Sequence, residues 1–210
     1  MRKTLIRVYE YLRKKLMFLK RRLVSPRLPE NPDGKIYLNL GCAGNSGKEF
    51  TNIDVEPYPN IHHIQNIMDL SNFKDDSVDM VYASHVVEHI PRESLHSTLK
   101  EWKRVLKHGG VFRFAVPNFD ALIDIYKKSG SNVHQIRDQV MGQNPPYHNH
   151  YTLWNFKYAK EILEELGYTD VKIWDPNTVD HHDFNDRSTR SMNVGGEDIL
   201  FSLNVEATKP

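Results

Sequence analysis

Cysteine and long apolar stretches are scarce in this chain. Its 210 residues include one cysteine, Cys42, which excludes an internal disulfide and a zinc site built from several cysteines. No apolar run approaches the roughly 20 residues of a membrane-spanning helix. The uncharged stretch at residues 16–19 is also too short for the core of a signal peptide. These absences predict a cytoplasmic location.

The formal net charge is only +1, but the charges are unevenly distributed. Residues 1–27 contain ten Lys or Arg and one Glu, a charge of +9, whereas the remaining 18 basic and 26 acidic residues give −8. The chain therefore combines an acidic body with a basic arm. Because a nucleic-acid-binding protein usually spreads basic residues over its folded surface, we predict no nucleic-acid partner.

The basic arm has a helical pattern. Apolar residues recur at spacings of three or four, which predicts one leucine-rich stripe along a helix over residues 2–24: Leu5, Tyr9, Leu12, Leu16, Leu19 and Leu23. Three prolines at positions 26, 29 and 32 then predict an extended linker. We therefore divide the chain into an arm and linker over residues 1–32 and a folded domain over residues 33–210.

The leucine stripe allows four interpretations. A basic amphipathic helix is typical of peripheral contact with an anionic membrane, here the inner face. The same spacing also suits self-association as a coiled coil. Packing against the acidic body and disorder are the other two.

Strand-like and helical runs alternate after the linker, which predicts an α/β fold with a mainly parallel sheet. The strand candidates cover residues 36–40, 50–55, 62–66, 78–83, 111–116, 171–174 and 199–207, and the helix candidates cover 94–106, 119–128 and 156–166. Residues 129–152 show no clear period. Only nine residues separate the first two strand candidates, so the first helix must shrink to about one turn, or these strands are not neighbours.

A glycine-containing loop follows the first strand candidate. Gly41 and Gly44 would let the backbone turn sharply and approach a ligand closely. Asp54 ends the second strand candidate, where a carboxylate can accept hydrogen bonds from ribose hydroxyls, and Asp69 with Leu70 follows the third. In a parallel sheet these strand ends share one edge, which predicts a nucleoside-binding site. The alternative is an ordinary turn with helix-capping acids.

A nicotinamide dinucleotide is the competing ligand. Its fingerprint is G-x-G-x-x-G at the start of a full helix. Here Ala43 stands where the second glycine belongs, and the space for that helix is short. A nucleoside cofactor without a pyrophosphate fits the loop better.

Several segments resemble the small class I S-adenosylmethionine-dependent methyltransferases often called methyltransferase domain 11. Residues 79–90 are similar to the fourth-strand signature of that family, and residues 104–110 to its turn before the fifth strand, with His108 where proline is usual. The segments that carry the resemblance are residues 36–44, 52–56, 69–70, 75–90 and 104–118. His150 and residues 202–207 are similar to a subgroup frequent in bacterial surface-glycan biosynthesis.

The resemblance implies a Rossmann-like, mainly parallel seven-stranded sheet with an antiparallel last strand. It implies S-adenosyl-L-methionine as the cofactor, with these residues at its site: Asn39, Gly41 and Gly44 at the methionine end, Asp54 at the ribose, Asp69 and Leu70 at the adenine, and Ser84 and His85 beside the methyl group. The implied reaction is methyl transfer to an oxygen of a small or glycan-linked acceptor, in polysaccharide biosynthesis. The alternative is a non-catalytic scaffold that acts through the basic helix.

Residues 85–89 spell H-x-x-E-H, an inverted zinc-protease motif. That motif expects a long helix and a hydrolytic zinc with three protein ligands, whereas here it follows a strand and Pro91 interrupts it. We therefore assign no metal ligands from the sequence, while a non-hydrolytic divalent ion near Glu88 and His89 stays open.

The remaining candidates concern the acceptor. His85 and His150 are the candidate catalytic bases, because a hydroxyl nucleophile needs a base and imidazole suits neutral pH. His148, Asn118, Arg187 and Arg190 are the candidate acceptor-binding residues, and either arginine could pair with an anionic group. For the arginines, a solvated surface loop is the alternative. We also predict that residues 129–152 cover the acceptor pocket.

Overall fold

The computed structural model describes the backbone of residues 2–143 and 148–210, and the side chains of the same residues except 2–11 and 14. Five α-helices lie in this part of the chain: α1 (Arg2–Leu23), α2 (Arg92–Val105), α3 (Phe119–Lys128), α4 (Val133–Met141) and α5 (Phe156–Glu165). Short 3-10 helices cover Val87–His89 and Arg187–Thr189. The strands are β1 (Tyr37–Leu40), β2 (Phe50–Asp54), β3 (His63–Ile64), β4 (Val78–Ser84), β5 (Leu106–Pro117), β6 (Thr169–Ile173), β7 (Ser191–Val194), β8 (Glu197–Leu200) and β9 (Ser202–Thr208).

Seven of these strands form one sheet in the order β3-β2-β1-β4-β5-β9-β6. The first five pair in parallel, and β9 runs antiparallel to both of its neighbours, β5 and β6. The predicted Rossmann-like, mainly parallel seven-stranded sheet with an antiparallel last strand is thereby confirmed. Its parallel strands end at a common edge, which is where a ligand site is expected.

The unusually short connection between β1 and β2 joins direct neighbours. Tyr37 pairs with Phe50 and Leu40 with Ile53 in parallel register. The nine residues between these strands form turns and contain no helix. The crossover helix is thus absent here, a larger reduction than the single turn that the sequence suggested.

Side chains of the central strands alternate between two differently covered faces. Leu38, Leu40 and Val81 join a core with apolar residues of α2 and α5. Tyr37 and Tyr82 point to the other face, where they join an aromatic cluster with Trp174. The segment after β6, residues 175–190, covers this second face and packs Phe184 against the cluster.

Two further features differ from the sequence-based expectation. Part of the aperiodic segment 129–152 is helix α4, whose N-terminus is capped by the Asn132 side chain; residues 144–147 of that segment lie outside the described residues. The predicted strand 199–207 is divided at Phe201, because its amide donates to Arg190 and its carbonyl accepts from Asn118. The part before Phe201 belongs to a separate β7–β8 hairpin.

The predicted helix of the basic arm is present as α1, and one side of it contacts the body. Phe18 packs edge-on against Tyr58, with ring centroids 5.2 Å apart. The buried Arg21 guanidinium donates to the backbone carbonyls of Ile61 and His62. The described leucines of the stripe (Leu12, Leu16, Leu19 and Leu23) are 57–77% exposed, so they do not pack on the body. Across the described residues, no helix is both long and apolar enough to cross a membrane.

Candidate functional site

A cavity of about 400 Å³ lies at the carboxyl ends of β1, β2 and β4. Four of the residues that the sequence assigned to a cofactor line it: Asn39, Gly41, Asp54 and Ser84. His85 lines it as well, directly after β4. Its volume lies in the usual range of small-molecule sites, about 300–1,000 Å³.

The loop after β1 approaches the cavity through its backbone. Gly41 has a φ of +64°, and a Cβ there would lie 2.7 Å from Val86 Cγ2. Any side chain at this position would therefore clash as well as strain the backbone. Gly44 does not line the cavity; it has a φ of +95° in the turn, and its carbonyl accepts from Asn60. The two glycines thus have different roles, close approach at Gly41 and turn formation at Gly44.

Asp54 joins the loop to the end of β2. Its Oδ2 accepts from Ala43 N and its Oδ1 from Glu56 N, both at 2.9 Å. Because a carboxylate oxygen can accept two hydrogen bonds, each keeps capacity for a ligand hydroxyl. Burial raises the pKa of Asp54, although these backbone donors oppose the shift. The side chain both holds the loop and faces the cavity.

Asp69 and Leu70 are placed differently from the expected adenine contacts. The Asp69 side chain is exposed outside the cavity lining and caps a turn by accepting from Ser71 N at 2.9 Å. Leu70 is fully buried in the main core. The preceding residues, Asn66, Ile67 and Met68, line the cavity instead. β3 has only two residues, so the chain reaches the cavity edge earlier than the sequence assignment assumed.

The family comparison agrees with this arrangement. The family model described as Methyltransferase domain matches residues 39–114, the segment from β1 into β5 that contains the loop, Asp54 and the end of β4. This segment of the chain therefore belongs to a methyltransferase domain, as the sequence predicted. The predicted family, enzyme class and cofactor are confirmed. No curated protein gives a significant match to the chain.

Solved structures share the fold of this methyltransferase. An S-adenosylmethionine-dependent methyltransferase from Archaeoglobus fulgidus superposes with a TM-score of 0.52 at 18% identity, covering 93% of this chain and 94% of that one. One from Methanosarcina mazei gives 0.51 at 16%, covering 87% and 99%. One from Thermotoga maritima gives 0.53 at 14%, covering 97% and 96%.

The residues of the first cavity fit S-adenosylmethionine. Asp54 offers carboxylate acceptors for the ribose hydroxyls, and Gly41 leaves space that a Cβ would fill. The Asn39 side-chain nitrogen donates to Asn45 O, which holds the loop over the cavity. The cofactor has no phosphate, so the absent helix between β1 and β2 removes no required contact.

A second cavity, of about 250 Å³, adjoins the first. Four residues line both: His85, His89, His148 and Arg187. His150, Arg190 and Gln139 line only the second. The structure thus brings together the candidate base His150 with three of the four predicted acceptor residues. The fourth, Asn118, lines neither cavity, because it caps α3 by accepting from Asp120 N.

His85 is held by contacts on both ring nitrogens. Its backbone has a φ of +53°, unusual for a residue other than glycine, and the side chain is buried. Nε2 lies 2.8 Å from Ser202 Oγ, and Nδ1 lies 3.3 Å from Glu88 Oε1. Neither nitrogen is therefore free to take a proton from an acceptor. This geometry favours a positioning role for His85 over the base role that the sequence suggested.

Glu88, His89 and His150 form a cluster beside the second cavity, and each offers an atom within 4.8 Å of the others. Glu88 is fully buried; burial raises its pKa, but the neighbouring His85, His89 and His150 outweigh this effect and lower it overall. Burial also lowers the pKa of His150. The 3-10 helix Val87–His89 replaces the long helix that a zinc protease of this motif would need.

Sequence reasoning missed a buried network behind the two cavities. The Tyr82 hydroxyl donates to Asp186 Oδ2 at 2.5 Å, and Ser188 N donates to Asp186 Oδ1 at 2.8 Å. His182 Nε2 lies 3.4 Å from the same carboxylate. Asp186 lines the first cavity next to Arg187. Asp-x-Ser, an N-cap pattern for the 3-10 helix, was the available signal.

Proposed function

We propose that this methyltransferase transfers the methyl group of S-adenosylmethionine to an oxygen of a small or glycan-linked acceptor, in surface-polysaccharide biosynthesis. The observation that carries the proposal is the contact between the two cavities. The first cavity is lined by predicted cofactor residues. Four residues line both the first and the second cavity: His85, His89, His148 and Arg187. An acceptor in the second cavity would therefore lie next to the cofactor.

The lining of the second cavity suits a hydroxyl-rich acceptor with an anionic group. Arg187 and Arg190 both line it, and neither forms an ion pair with a described residue. Burial is the main cause that lowers the pKa of Arg190, and the positive charge of Arg187 is the second. An anionic partner would offset both effects and favour the charged guanidinium. A carboxylate or phosphate of an acidic sugar or a nucleotide-sugar can bind a guanidinium through two hydrogen bonds.

Methyl transfer is an in-line displacement, in which the enzyme mainly aligns the attacking oxygen with the methyl carbon. Of the two histidines proposed for activation of that oxygen, His150 has the better geometry. Its Nδ1 lies 2.8 Å from Gln139 O and must donate to it, which leaves Nε2 with a lone pair. We assign activation of the acceptor oxygen to His150, and positioning of the loop after β4 to His85.

The test is a turnover screen with S-adenosylmethionine and three acceptor classes: glycans, nucleotide-sugars and small phosphorylated metabolites. We expect turnover with an acidic sugar or nucleotide-sugar. His150→Ala should retain cofactor affinity but lower turnover by about 100-fold or more. His96→Ala, which removes an exposed histidine on α2, is the matched control. Turnover restricted to uncharged or nitrogen acceptors would contradict the proposal, as would unchanged turnover by His150→Ala.

We also propose that α1 holds the enzyme at the anionic inner face of a membrane, close to a lipid-linked acceptor. Phe18 and Arg21 hold the body on one side of the helix, and the exposed leucines lie on the opposite side. Exposed basic residues border the leucines: Arg13, Lys15, Lys20 and Arg22. An interfacial helix needs both an apolar face and flanking cations. Self-association through the same leucines is the competing proposal.

A further inference from the structure

The carboxylate and two imidazoles beside the second cavity have the arrangement of a metal site. We propose that Glu88, His89 and His150 bind a divalent first-row transition ion, with coordination positions open toward the acceptor. The ion's part in the reaction rests on the proposed function, whereas the binding site does not.

The hydrogen bonds of both histidines select the tautomer that a metal ligand requires. His89 Nδ1 lies 2.9 Å from Asn149 O, and His150 Nδ1 lies 2.8 Å from Gln139 O. A carbonyl oxygen can only accept, so each Nδ1 must carry the proton and each Nε2 keeps a lone pair. Metal-binding histidines commonly donate their second nitrogen to a backbone carbonyl in this way.

Glu88 has an unsatisfied charge in the interior. It is fully buried, and neither carboxylate oxygen has a hydrogen-bond partner among the described residues. A buried carboxylate without partners is strongly disfavoured, so such a group calls for a specific explanation. A cation bound at its oxygens would supply one.

His85 does not supply the missing proton when it is neutral. Ser202 Oγ donates its only hydrogen to Arg187 O at 2.7 Å, so it must accept from His85 Nε2. A neutral His85 would then turn the lone pair of Nδ1 toward Glu88 Oε1. These two atoms lie 3.3 Å apart, and the carboxylate oxygen has no hydrogen-bond partner. Two acceptors face each other, so either His85 is protonated or a cation lies nearby. Zn²⁺ titration of the chelator-treated chain separates these two cases.

The distances allow coordination after small movements. Ligand atoms about 2.1 Å from a tetrahedral ion are about 3.4 Å apart. The three candidate atoms lie within 4.8 Å of one another, so side-chain shifts of roughly 1 Å would close the site. Two imidazoles and one carboxylate favour Zn²⁺, Mn²⁺ or Fe²⁺ over Mg²⁺, which prefers oxygen ligands and retains water.

Such an ion would contribute Lewis acidity at the acceptor. His89 and His150 line the second cavity, whereas Glu88 lies behind them, so the open side of the site faces the proposed acceptor. Because His150 Nε2 would then bind the ion, His150 would activate the acceptor oxygen through the ion, and a hydroxyl bound there would release its proton to water more readily. The oxygen would then form a bond to the methyl carbon as the carbon–sulfur bond of the cofactor breaks, leaving S-adenosylhomocysteine.

The test uses the full chain after treatment with a chelator, with neither cofactor nor acceptor present. Titration with Zn²⁺ should show one tight site per chain by calorimetry, and Co²⁺ should give the visible absorption of a site with nitrogen ligands. His89→Ala, His150→Ala and Glu88→Gln should each weaken Zn²⁺ binding by roughly 100-fold or more. His96→Ala controls for nonspecific binding by surface histidines.

Four outcomes distinguish the metal site from the proposed function. Equal Zn²⁺ affinity of the parent and His89→Ala chains would overturn the metal site, and Glu88 would then serve as the partner of a protonated His85. Absence of the Co²⁺ absorption in the parent chain would overturn it without reliance on any variant. Full turnover after chelation would remove the ion from the reaction while leaving the proposed acceptor intact. Conversely, metal binding without methylation of an acidic acceptor would contradict only the proposed function.

Discussion

Asp54 is the side chain on which we expect cofactor affinity to depend most. Asp54→Ala should weaken S-adenosylmethionine binding by roughly 10- to 100-fold, because about 1–3 kcal/mol is lost when ribose hydroxyls are left unpaired. Calorimetry measures the affinity. Asp69→Ala is the matched control, since this carboxylate is exposed outside the cavity and should leave binding unchanged. Unchanged affinity in a folded Asp54→Ala protein would remove Asp54 from the site.

Gly41 should be intolerant of a methyl group for two separable reasons. Gly41→Ala meets Val86 at 2.7 Å and keeps a φ of +64°, whereas Gly130→Ala has a φ of +72° and no atom within 4 Å. The strained backbone alone costs about 1–2 kcal/mol. We expect a larger loss of unfolding free energy at Gly41 than at Gly130, measured by denaturant titration.

The double variant Gly41→Ala/Val86→Ala separates the clash from the backbone strain. Removing the Val86 methyl groups should recover part of the loss at Gly41, although Val86→Ala will itself destabilise the core. Equal losses for Gly41→Ala and Gly130→Ala would show that contact with Val86 is unimportant.

The predictable part of the site consists of residues at strand ends. Asn39, Gly41, Asp54 and Ser84 could be assigned because the end of a strand and its turn are visible in the sequence. Asp69 could not be placed, because a strand of two residues leaves little periodic signal. The pairing of Glu88 with distant His150 depends on how residues 129–152 fold back, which their composition does not reveal.

Among the elements, the 3-10 helix Arg187–Thr189 is capped by one carboxylate, that of Asp186. Burial raises the pKa of Asp186, but hydrogen bonds from His182, Ser188 and Tyr82 outweigh it and lower the pKa overall. Asp186→Asn should therefore reduce the unfolding free energy at pH 7 by about 2 kcal/mol, or lower Tm by roughly 4–8 °C.

The pH dependence provides the check on this assignment. Because the folded pKa of Asp186 is depressed, its stabilisation is complete above the unfolded value of about 3.9 and declines as the pH falls further. The Tm difference between parent and Asp186→Asn should hold from pH 7 to about pH 5 and shrink below pH 4. A Tm difference that does not change with pH would point to packing instead of charge.

Elements with a strong apolar period were predictable, and weakly patterned ones were not. Helix α3 has the bounds expected from the sequence, and Leu122 and Ile125 bury one face of it. Helix α4 has no fully buried residue, and its two apolar residues that pack against α3, Ile136 and Val140, are too few to mark a helix in the sequence. The β7–β8 hairpin has a clear signal in the sequence, since Gly195-Gly196 is a typical two-residue hairpin turn.

For the whole molecule, the separation of charge predicts binding to anionic vesicles that depends on salt. The enzyme should sediment with phosphatidylserine-containing vesicles at about 20 mM salt and be released at 1 M, where the Debye length falls to about 3 Å. Leu16→Glu with Leu19→Glu should abolish sedimentation. Val133→Glu replaces a similarly exposed apolar residue on α4 and should have no effect.

Sedimentation alone does not exclude self-association, so the oligomeric state must be measured in parallel. A monomer in solution that sediments only with anionic vesicles supports membrane docking. A dimer that ignores vesicles and becomes monomeric in the Leu16→Glu/Leu19→Glu variant would establish the coiled-coil alternative.

The segment over the second face of the sheet constrains how this enzyme can change during evolution. Residues 175–190 cover an aromatic surface through Phe184, and the same segment carries Asp186 and Arg187 into the first cavity. Loops that determine specificity in many enzymes tolerate insertions and deletions, because they lie on the surface and contribute little to the core. Here an insertion or deletion would uncover Tyr37, Phe50 and Tyr82 as well as alter the ligand site. New acceptor preferences should therefore arise through single substitutions at Arg187 or Arg190, or by remodelling helix α4, which has no fully buried side chain.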